Sequence, residues 1–227
     1  MIRAVRVGVT LAVSRLGARW CLLVAACVTI LSSALALLVR RSSPLGAVDA
    51  VLAAFYGAVL PLVTWAALER VMTGSSFSEA LWPAARFGHS RRALGVGASL
   101  ASLGATWAVV APGLVVGVVL AAPSRSSANA EAARAMWTLG LGALAYGAAL
   151  VLGSSVRRPT RGRFAVLVLD YLFGSGVSIL ALPWPRAHLS SLAGGPLVAA
   201  LSQRASSIAL ATIAFVALGC ALLKTSE

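Results

Sequence analysis

The stretch "ALGVGASLASLGATWAVVAPGLVVGVVLA", residues 93–121, contains no charged residue and decides the fold class. At 1.5 Å of rise per residue, an α-helix of this length crosses a membrane hydrocarbon core of about 30 Å. The run is continuously apolar and lacks the alternation that a lipid-facing β-strand requires. We therefore predict a transmembrane α-helix here.

The rest of the chain repeats this pattern. Hydrophobic residues make up 59% of the sequence and charged residues only 11%, and the charges collect in short clusters between apolar blocks. This composition is typical of an integral membrane protein. We predict an all-α membrane protein with six transmembrane helices, near residues 19–39, 47–68, 93–121, 135–156, 164–182 and 206–223.

Residues 1–18 form a separate N-terminal segment. Arg3, Arg6, Thr10 and Ser14 recur at helical three- and four-residue steps, which indicates an amphipathic helix lying on the membrane surface. A frayed basic tail that only sets orientation is the alternative. We expect the first apolar block to be a retained helix and not a signal peptide, because its apolar run continues past the small residues at 34–36.

Cationic residues predict the orientation in the membrane. Residues 1–19, the loop after the second block and the loop after the fourth block hold four Arg each, and Lys224 follows the last block. The alternate loops hold pairs only, so thirteen of the 19 cationic residues lie on one side. By the positive-inside rule, we expect both termini to be cytoplasmic. We further expect the membrane to be a bacterial inner membrane. The arginines form no single patch, so nucleic acid is not an expected partner.

The stretch "GSSFSEALWPAARFGHSRR", residues 74–92, interrupts the apolar blocks on the predicted cytoplasmic side. Ser76 and Glu79 have the spacing of a capping box, and Pro83 marks the end or a kink of the short helix that follows, near residues 76–84. Phe77 and Leu81 share one face and predict an exposed apolar knob for docking. Alternatively, these side chains and a neighbouring tryptophan dip into the lipid headgroups.

Three segments carry a family resemblance. They are "ERVMTGSSFSEALWPAARFGHSRRALGVG" at 69–97, "YGAALVLGSSVRRPTRGR" at 146–163 and "LPWPRAHLSSLAGG" at 182–195. Their layout resembles the membrane permeases of type-2 ABC transporters, in which a short coupling helix lies between the second and third spans. Chain length, the number of spans and the N-terminal helix agree with this family.

The resemblance implies an exporter permease that dimerises and docks separate ATP-binding cassette subunits. The implied docking residues are Phe77, Glu79, Leu81 and Trp82 in the coupling helix, with Arg86, Arg91 and Arg92 beside it. ATP and Mg²⁺ would be bound by the partner, because this chain has no G-x-x-x-x-G-K-[ST] motif. The expected partners are that ATPase, a second permease protomer and membrane lipid. The alternative function is a non-translocating membrane scaffold that docks a cytoplasmic complex.

The serine, histidine and cysteine positions in the sequence do not form a recognisable catalytic or cofactor-binding motif. "FGSG" at 173–176 lacks the first glycine of a serine-protease motif, and His89 and His188 both fall in predicted loops. The cysteines have no C-x-x-C spacing and are expected to be reduced packing residues; they are Cys21, Cys27 and Cys220. We therefore expect no enzymatic activity, no metal and no cofactor in this chain.

Asp170 is the one acid inside a predicted span. A carboxylate in lipid is costly unless it is paired, so Asp170 is a candidate functional residue. The alternative is a structural ion pair with Arg163 or another arginine of "RRPTRGR" at 157–163. Asp49, at the start of the second block, is interpreted as a charge favoured by the helix dipole.

Small residues and prolines predict how the spans pack. Gly113 and Gly117 form a G-x-x-x-G pair, and further glycines punctuate the fourth block at 140, 142, 147 and 153. We favour packing within the protomer over dimerisation. Pro61 and Pro112 are candidate kinks. Two prolines and a Gly-Gly-Pro in the outer segment, near 183–203, predict half-helices that dip into the outer leaflet and return.

Overall fold

A computed structural model describes residues 1–155 and 159–224. All regular secondary structure in this part of the chain is helical, and no strand occurs within it. The helices are α1 (Ile2–Leu16), α2 (Ala18–Ser42), α3 (Ala47–Ala54), α4 (Leu60–Met72), α5 (Phe77–Ala85), α6 (Arg91–Ala121), α7 (Arg125–Gly153), α8 (Pro159–Phe173), α9 (Pro185–Leu192) and α10 (Gln203–Lys224). A π-helical turn, Phe55–Val59, joins α3 to α4, and 3-10 turns lie at Pro44–Gly46, Ile179–Ala181 and Val198–Ala200. The all-α prediction is confirmed.

Five helical segments of the described residues are long and apolar enough to cross a membrane. They are α2, the segment Pro44–Met72 that contains α3 and α4, α6, α7 and α10. Each coincides with a predicted span. The prediction of a multi-pass membrane protein is therefore confirmed by length and composition.

The sixth predicted span, over 164–182, does not form a continuous helix. α8 ends at Phe173, and its 15 residues give a length of about 22 Å, shorter than a hydrocarbon core. The chain turns at Gly174–Val177, where two glycines and a serine interrupt the apolar run. Glycine is a poor helix former, which gives the helix a reason to end here.

The chain nevertheless passes from one end of the bundle to the other between α7 and α10. Near its start, Arg163 of α8 bonds Glu69 of α4. After α9, a Cβ atom placed on Gly194 would lie 3.7 Å from Oδ1 of Asp49. Glu69 and Asp49 are about 30 Å apart along the Pro44–Met72 segment. Two short helices, α8 and α9, thus make the passage that one long helix was predicted to make, and the dip of the outer segment into a leaflet stays a prediction.

α6 lies at the centre of the packing, and its glycines allow neighbouring helices to approach closely. A Cβ atom on Gly117 would lie 2.1 Å from Oγ of Ser32, and one on Gly113 would lie 2.7 Å from Cγ1 of Val28, both on α2. The Ser32 hydroxyl donates to the Gly113 carbonyl at 2.7 Å. The prediction that this G-x-x-x-G pair packs within the protomer is confirmed.

The α7 glycines divide into two groups. Gly142, Gly147 and Gly153 each face a close neighbour, whereas a Cβ atom on Gly140 would meet nothing within 4 Å. Their predicted packing role holds for the first three.

The N-terminal helix α1 packs directly on α6. Its buried residues recur every four positions, at Ala4, Gly8, Ala12 and Leu16. A Cβ atom on Gly8 would lie 2.2 Å from the Leu94 carbonyl oxygen, so the two backbones touch. The helical prediction for this segment is confirmed, and its polar residues Arg3, Arg6, Thr10 and Ser14 are exposed. Its position on a membrane surface stays a prediction.

Candidate functional site

The first candidate site is the α5 end of the bundle, which also contains the ends of α4, α7 and α10. The predicted capping box is present: the Glu79 backbone N–H donates to Ser76 Oγ at 3.2 Å, and Ser76 N–H donates to Glu79 Oε2 at 2.8 Å. The Ser76 hydroxyl also donates to Glu79 Oε2 at 2.7 Å. These bonds from the Ser76 backbone and hydroxyl hold the pKa of Glu79 below its usual value. The box therefore fixes where α5 begins.

The predicted exposed knob is wrong. Phe77 is 0% exposed and Leu81 is 1% exposed. The Phe77 ring packs over Gly95 of α6, where a Cβ atom would lie 3.0 Å from the ring, and Leu81 joins the same buried cluster as Leu94. The apolar face of α5 turns into the bundle because Gly95 leaves room for the ring and burial removes the ring from water. A partner could contact Phe77 or Leu81 only if α5 moved away from α6.

The outward face of α5 carries the remaining predicted docking residues. Glu79 and Arg86 are exposed, and Trp82 is 52% exposed. The Arg86 guanidinium carbon lies 5.7 Å from the Trp82 ring centroid and 4.9 Å from that of Phe87, which is 71% exposed. Arg91 lines a surface groove together with Glu79 and Trp82, and Arg92 is exposed one residue later. This outer face, Glu79, Trp82, Arg86 and Phe87, offers aromatic and charged groups together.

Beneath α5 lies a buried arginine cluster made of Arg163, Glu69, Ser75 and Ser154. Arg163 is 0% exposed, and its guanidinium donates to both Glu69 oxygens, at 2.7 Å from Nε and 2.9 Å from Nη2. Nη1 donates to the Ser75 carbonyl at 3.2 Å and to Ser154 Oγ at 3.0 Å. The bidentate fork and two further bonds satisfy a charge that would otherwise be costly to bury.

The arginine cluster links several elements at one point. Glu69 is on α4, Ser75 precedes α5, Ser154 follows α7 and Arg163 is on α8. The Phe77 backbone N–H also donates to the Ser154 carbonyl at 3.4 Å. Movement of α5 would therefore reach α4, α7 and α8 directly. Sequence reasoning missed the Glu69–Arg163 pair, since 94 positions separate the two residues.

The second candidate site surrounds Asp170. This side chain is 2% exposed; its Oδ2 accepts from the Tyr146 hydroxyl at 2.7 Å and its Oδ1 from the Arg186 backbone N–H at 3.1 Å. The predicted ion pair with Arg163 is wrong, because Arg163 bonds Glu69 and lies two helical turns, about 10 Å, away along α8. Of the alternative partners, Arg157 and Arg158 lie outside the described residues, and no salt bridge joins Arg161 to Asp170.

A cavity of about 350 Å³ opens beside Asp170, between α4 and α8. We name it the lateral pocket; its walls include Gly57, Pro61, Leu62, Val168, Tyr171 and Arg186. Pro61 has no N–H to donate, and just before it the Leu60 N–H donates to the Phe55 carbonyl, which widens the turn. The predicted disturbance at Pro61 is thus a π-helical turn, and Tyr146 and Arg186 are site residues that sequence reasoning missed. The sequence did contain one signal for Arg186, because a charged residue is unusual within an apolar outer segment.

In residues 1–155 and 159–224, no three His, Cys, Asp or Glu side chains converge as metal ligands would. His188 lies in α9 and not in a loop as predicted; it is buried, with Nε2 2.8 Å from the Leu182 carbonyl oxygen. Asp49 lies in the first turn of α3, as predicted.

Comparison with known proteins adds no relative. No protein-family model matches the sequence, and neither curated proteins nor solved structures give a significant match.

Proposed function

We propose that this chain is the permease subunit of an ATP-driven ABC exporter, with α5 as its coupling helix. The observation that carries the proposal is the construction of α5. It is a capped helix at a bundle end, its outer face presents Trp82 and Arg86, and its inner face is built into the core through Phe77 and Leu81.

This construction suits force transmission. A partner that pushes on the outer face of α5 displaces Phe77 against α6 and disturbs the arginine cluster, which joins α4, α7 and α8. Packed interfaces of this kind switch between discrete arrangements and do not deform continuously. Binding energy at the surface would thereby reach the membrane-spanning helices.

In this proposal, the ATP-binding cassette subunit binds ATP and Mg²⁺, and this chain supplies the passage. A second permease protomer completes that passage. α2 and α10 are the most peripheral candidate spans, with 17% and 22% of their apolar windows buried, against 44% to 61% for the other three. Their apolar surfaces are available to lipid and to a second protomer. The protein lies in a bacterial inner membrane with both termini and α5 in the cytoplasm.

The experiment is co-purification of the tagged chain from its native membrane, followed by mass spectrometry and an ATPase assay. The test variant is Trp82→Ala with Arg86→Ala, which leaves the buried face of α5 intact. Arg125→Ala is the matched control, because Arg125 is exposed at the opposite end of the bundle. We expect an ATP-binding subunit with the wild type and the control, and its loss from the double variant.

Two results would oppose the proposal. If no ATP-binding protein co-purifies with the wild type, the coupling-helix role fails. If a partner without ATPase activity binds through Trp82 and Arg86, the scaffold alternative takes its place, since a docking helix serves both functions.

A further inference from the structure

Arg186 is a cationic side chain at the middle of the bundle that the proposed function does not use. A Cβ atom on Gly57 would lie 3.3 Å from its Nη2. Gly57 lies near the centre of the membrane-spanning segment Pro44–Met72, so the guanidinium is far from both ends. An arginine at such a depth is costly and needs a partner or a function.

The guanidinium has no hydrogen-bond acceptor among the residues that the structure describes. Its carbon lies 4.4 Å from the Tyr171 ring centroid, and this stacking leaves the N–H groups unused. The ion pairs found in residues 1–155 and 159–224 are those of Arg163 and Arg134. A strong, forked donor is therefore held in place without an acceptor.

Asp170 does not fill this role. Its two oxygens already accept from the Tyr146 hydroxyl and from the Arg186 backbone N–H. The positive end of α9, which begins at Pro185, adds further stabilisation. No hydrogen bond joins this carboxylate to the guanidinium, although the two are close enough to attract each other electrostatically. Asp170 therefore acts as a positioning residue that fixes the start of α9 through the backbone bond.

The space in front of the guanidinium is the lateral pocket. Its volume of about 350 Å³ lies within the range of small-molecule sites, roughly 300–1,000 Å³. Leu62 of α4 and Val168 of α8 form part of its apolar wall, and both are exposed on the side of the bundle. A ligand could therefore enter sideways from the lipid.

We propose that the lateral pocket binds an apolar carboxylic acid, with its carboxylate on Arg186 and its hydrocarbon along α4 and α8. The planar fork of a guanidinium matches a carboxylate bidentately, and the Tyr171 ring beneath it fixes the orientation of the fork. A phospholipid headgroup is a poorer match, because its phosphate is a diester between glycerol and a further group, whereas a carboxylate is the free end of its chain and presents two oxygens to the fork. This inference goes beyond the proposed function, since it requires no ATPase.

The test uses the purified full-length chain in phosphatidylcholine nanodiscs with tritiated dodecanoate as the probe. We expect saturable binding of one dodecanoate per chain after subtraction of empty nanodiscs, with dodecanol competing at least about tenfold less well. Arg186→Gln should weaken binding at least about tenfold, and Arg204→Gln, the same change at an exposed arginine, should not.

A second variant keeps the test independent of any folding defect in Arg186→Gln. Val168→Trp fills the lateral pocket and leaves Arg186 intact, so it should also abolish saturable binding; thermal melting checks that each variant is folded. The proposal is overturned by binding no greater than that of empty nanodiscs, by equal competition from dodecanol, or by unchanged binding in Val168→Trp. None of these outcomes depends on co-purification of an ATPase. The failure of the binding proposal would therefore not count against the proposed function.

Discussion

Arg163 has a structural role that the sequence did not assign to it. It is buried, and it bonds Glu69 on a helix far away in the chain. The sequence pattern placed this arginine in a basic loop, as part of the orientation signal and as a possible partner of Asp170. Nothing in local spacing reports a pair separated by 94 positions, because such a pair depends on how α4 and α8 meet.

The Arg163 pair should dominate stability at the α5 end. Arg163→Met leaves the Glu69 carboxylate, whose side chain is 21% exposed, without its partner, and we expect a loss of about 2–4 kcal/mol. The exposed pair Arg134–Glu131 is the control, and Arg134→Ala should cost at most about 0.5 kcal/mol. Unfolding by dodecyl sulfate in mixed micelles measures both.

A double variant separates charge from packing. Adding Glu69→Leu to Arg163→Met removes the unpaired carboxylate and should recover part of the lost stability. Equal losses for Arg163→Met and Arg134→Ala would contradict the assignment of a structural role to the arginine cluster.

Glu79 should make the stability of α5 depend on pH. Its pKa in the folded protein lies below the ordinary value of 4.5, because Ser76 donates to the carboxylate through its backbone and its hydroxyl. Its stabilising contribution is complete above that ordinary value and is lost as the pH falls through the lower, folded pKa. The difference in melting temperature between wild type and Glu79→Gln should therefore shrink as the pH is lowered from neutral.

The Ser76 hydroxyl supplies only part of this effect. In a Ser76→Ala background the pH dependence should be weaker and still present, since the backbone N–H of residue 76 continues to donate. A difference between wild type and Glu79→Gln that stays constant over the same pH range would argue against the capping box as the cause.

At the scale of the element, the contact of α1 with α6 depends on one glycine on each helix. A Cβ atom on Gly97 would lie 2.1 Å from the Val5 carbonyl oxygen, whereas one on Gly104 would meet nothing within 4 Å. We expect Gly97→Ala to push α1 away at a cost of about 1–3 kcal/mol, and Gly104→Ala to cost nothing. Both changes add one methyl group to the same helix.

Limited trypsin digestion gives the readout for this pair. Arg15 is held on the bundle, with Nη1 donating to the Val71 carbonyl at 2.6 Å. Release of α1 should therefore speed cleavage at Arg15 in Gly97→Ala and leave Gly104→Ala like the wild type. Equal cleavage in the two variants would mean that the close glycine contact does not hold α1.

Elements with a strong local signal could be predicted from the sequence, and those with a weak one could not. The capping box and the five long apolar helices depend on nearby residues, and the structure has them. The end of α8 at Phe173 was missed, because hydrophobicity continues through Ile179 while the glycines between them favour a turn. The inward turn of Phe77 was missed because the space over Gly95 exists only after α5 and α6 pack.

For the whole molecule, the positions of charge predict which ends face the cytoplasm. With the three native cysteines replaced by alanine, Ser126→Cys and Gln203→Cys should react with a membrane-impermeant maleimide in intact cells. Ser90→Cys, next to α5, should react only after the cells are opened. All three positions are exposed, so access decides the result.

The reverse labelling pattern would overturn the orientation and place α5 outside, where no ATPase could reach it. Labelling of all three positions in lysed cells is the control for reactivity.

The surroundings of Asp170 could not be predicted from the sequence, because they depend on how the whole bundle assembles. Asp170 was identified from one fact, that acids are rare in spans, but its partners Tyr146 and Arg186 lie on other elements. The lateral pocket depends on the π-helical turn before Pro61, which a proline alone does not specify. The sequence was sufficient to identify Asp170 as a candidate. The residues that surround it come together only in the folded bundle.

The passage before α10 is divided into two short helices, α8 and α9, and this division has a consequence for biogenesis. The translocon releases segments into the bilayer according to their own hydrophobicity, and Asp or Arg near a segment centre opposes release. α8 is short and contains Asp170, and α9 is shorter and contains Arg186, so neither is suited to partition alone. We expect the ribosome to have synthesised α10 before these two helices enter the lipid, as a preassembled pair in which the Arg186 backbone already bonds Asp170.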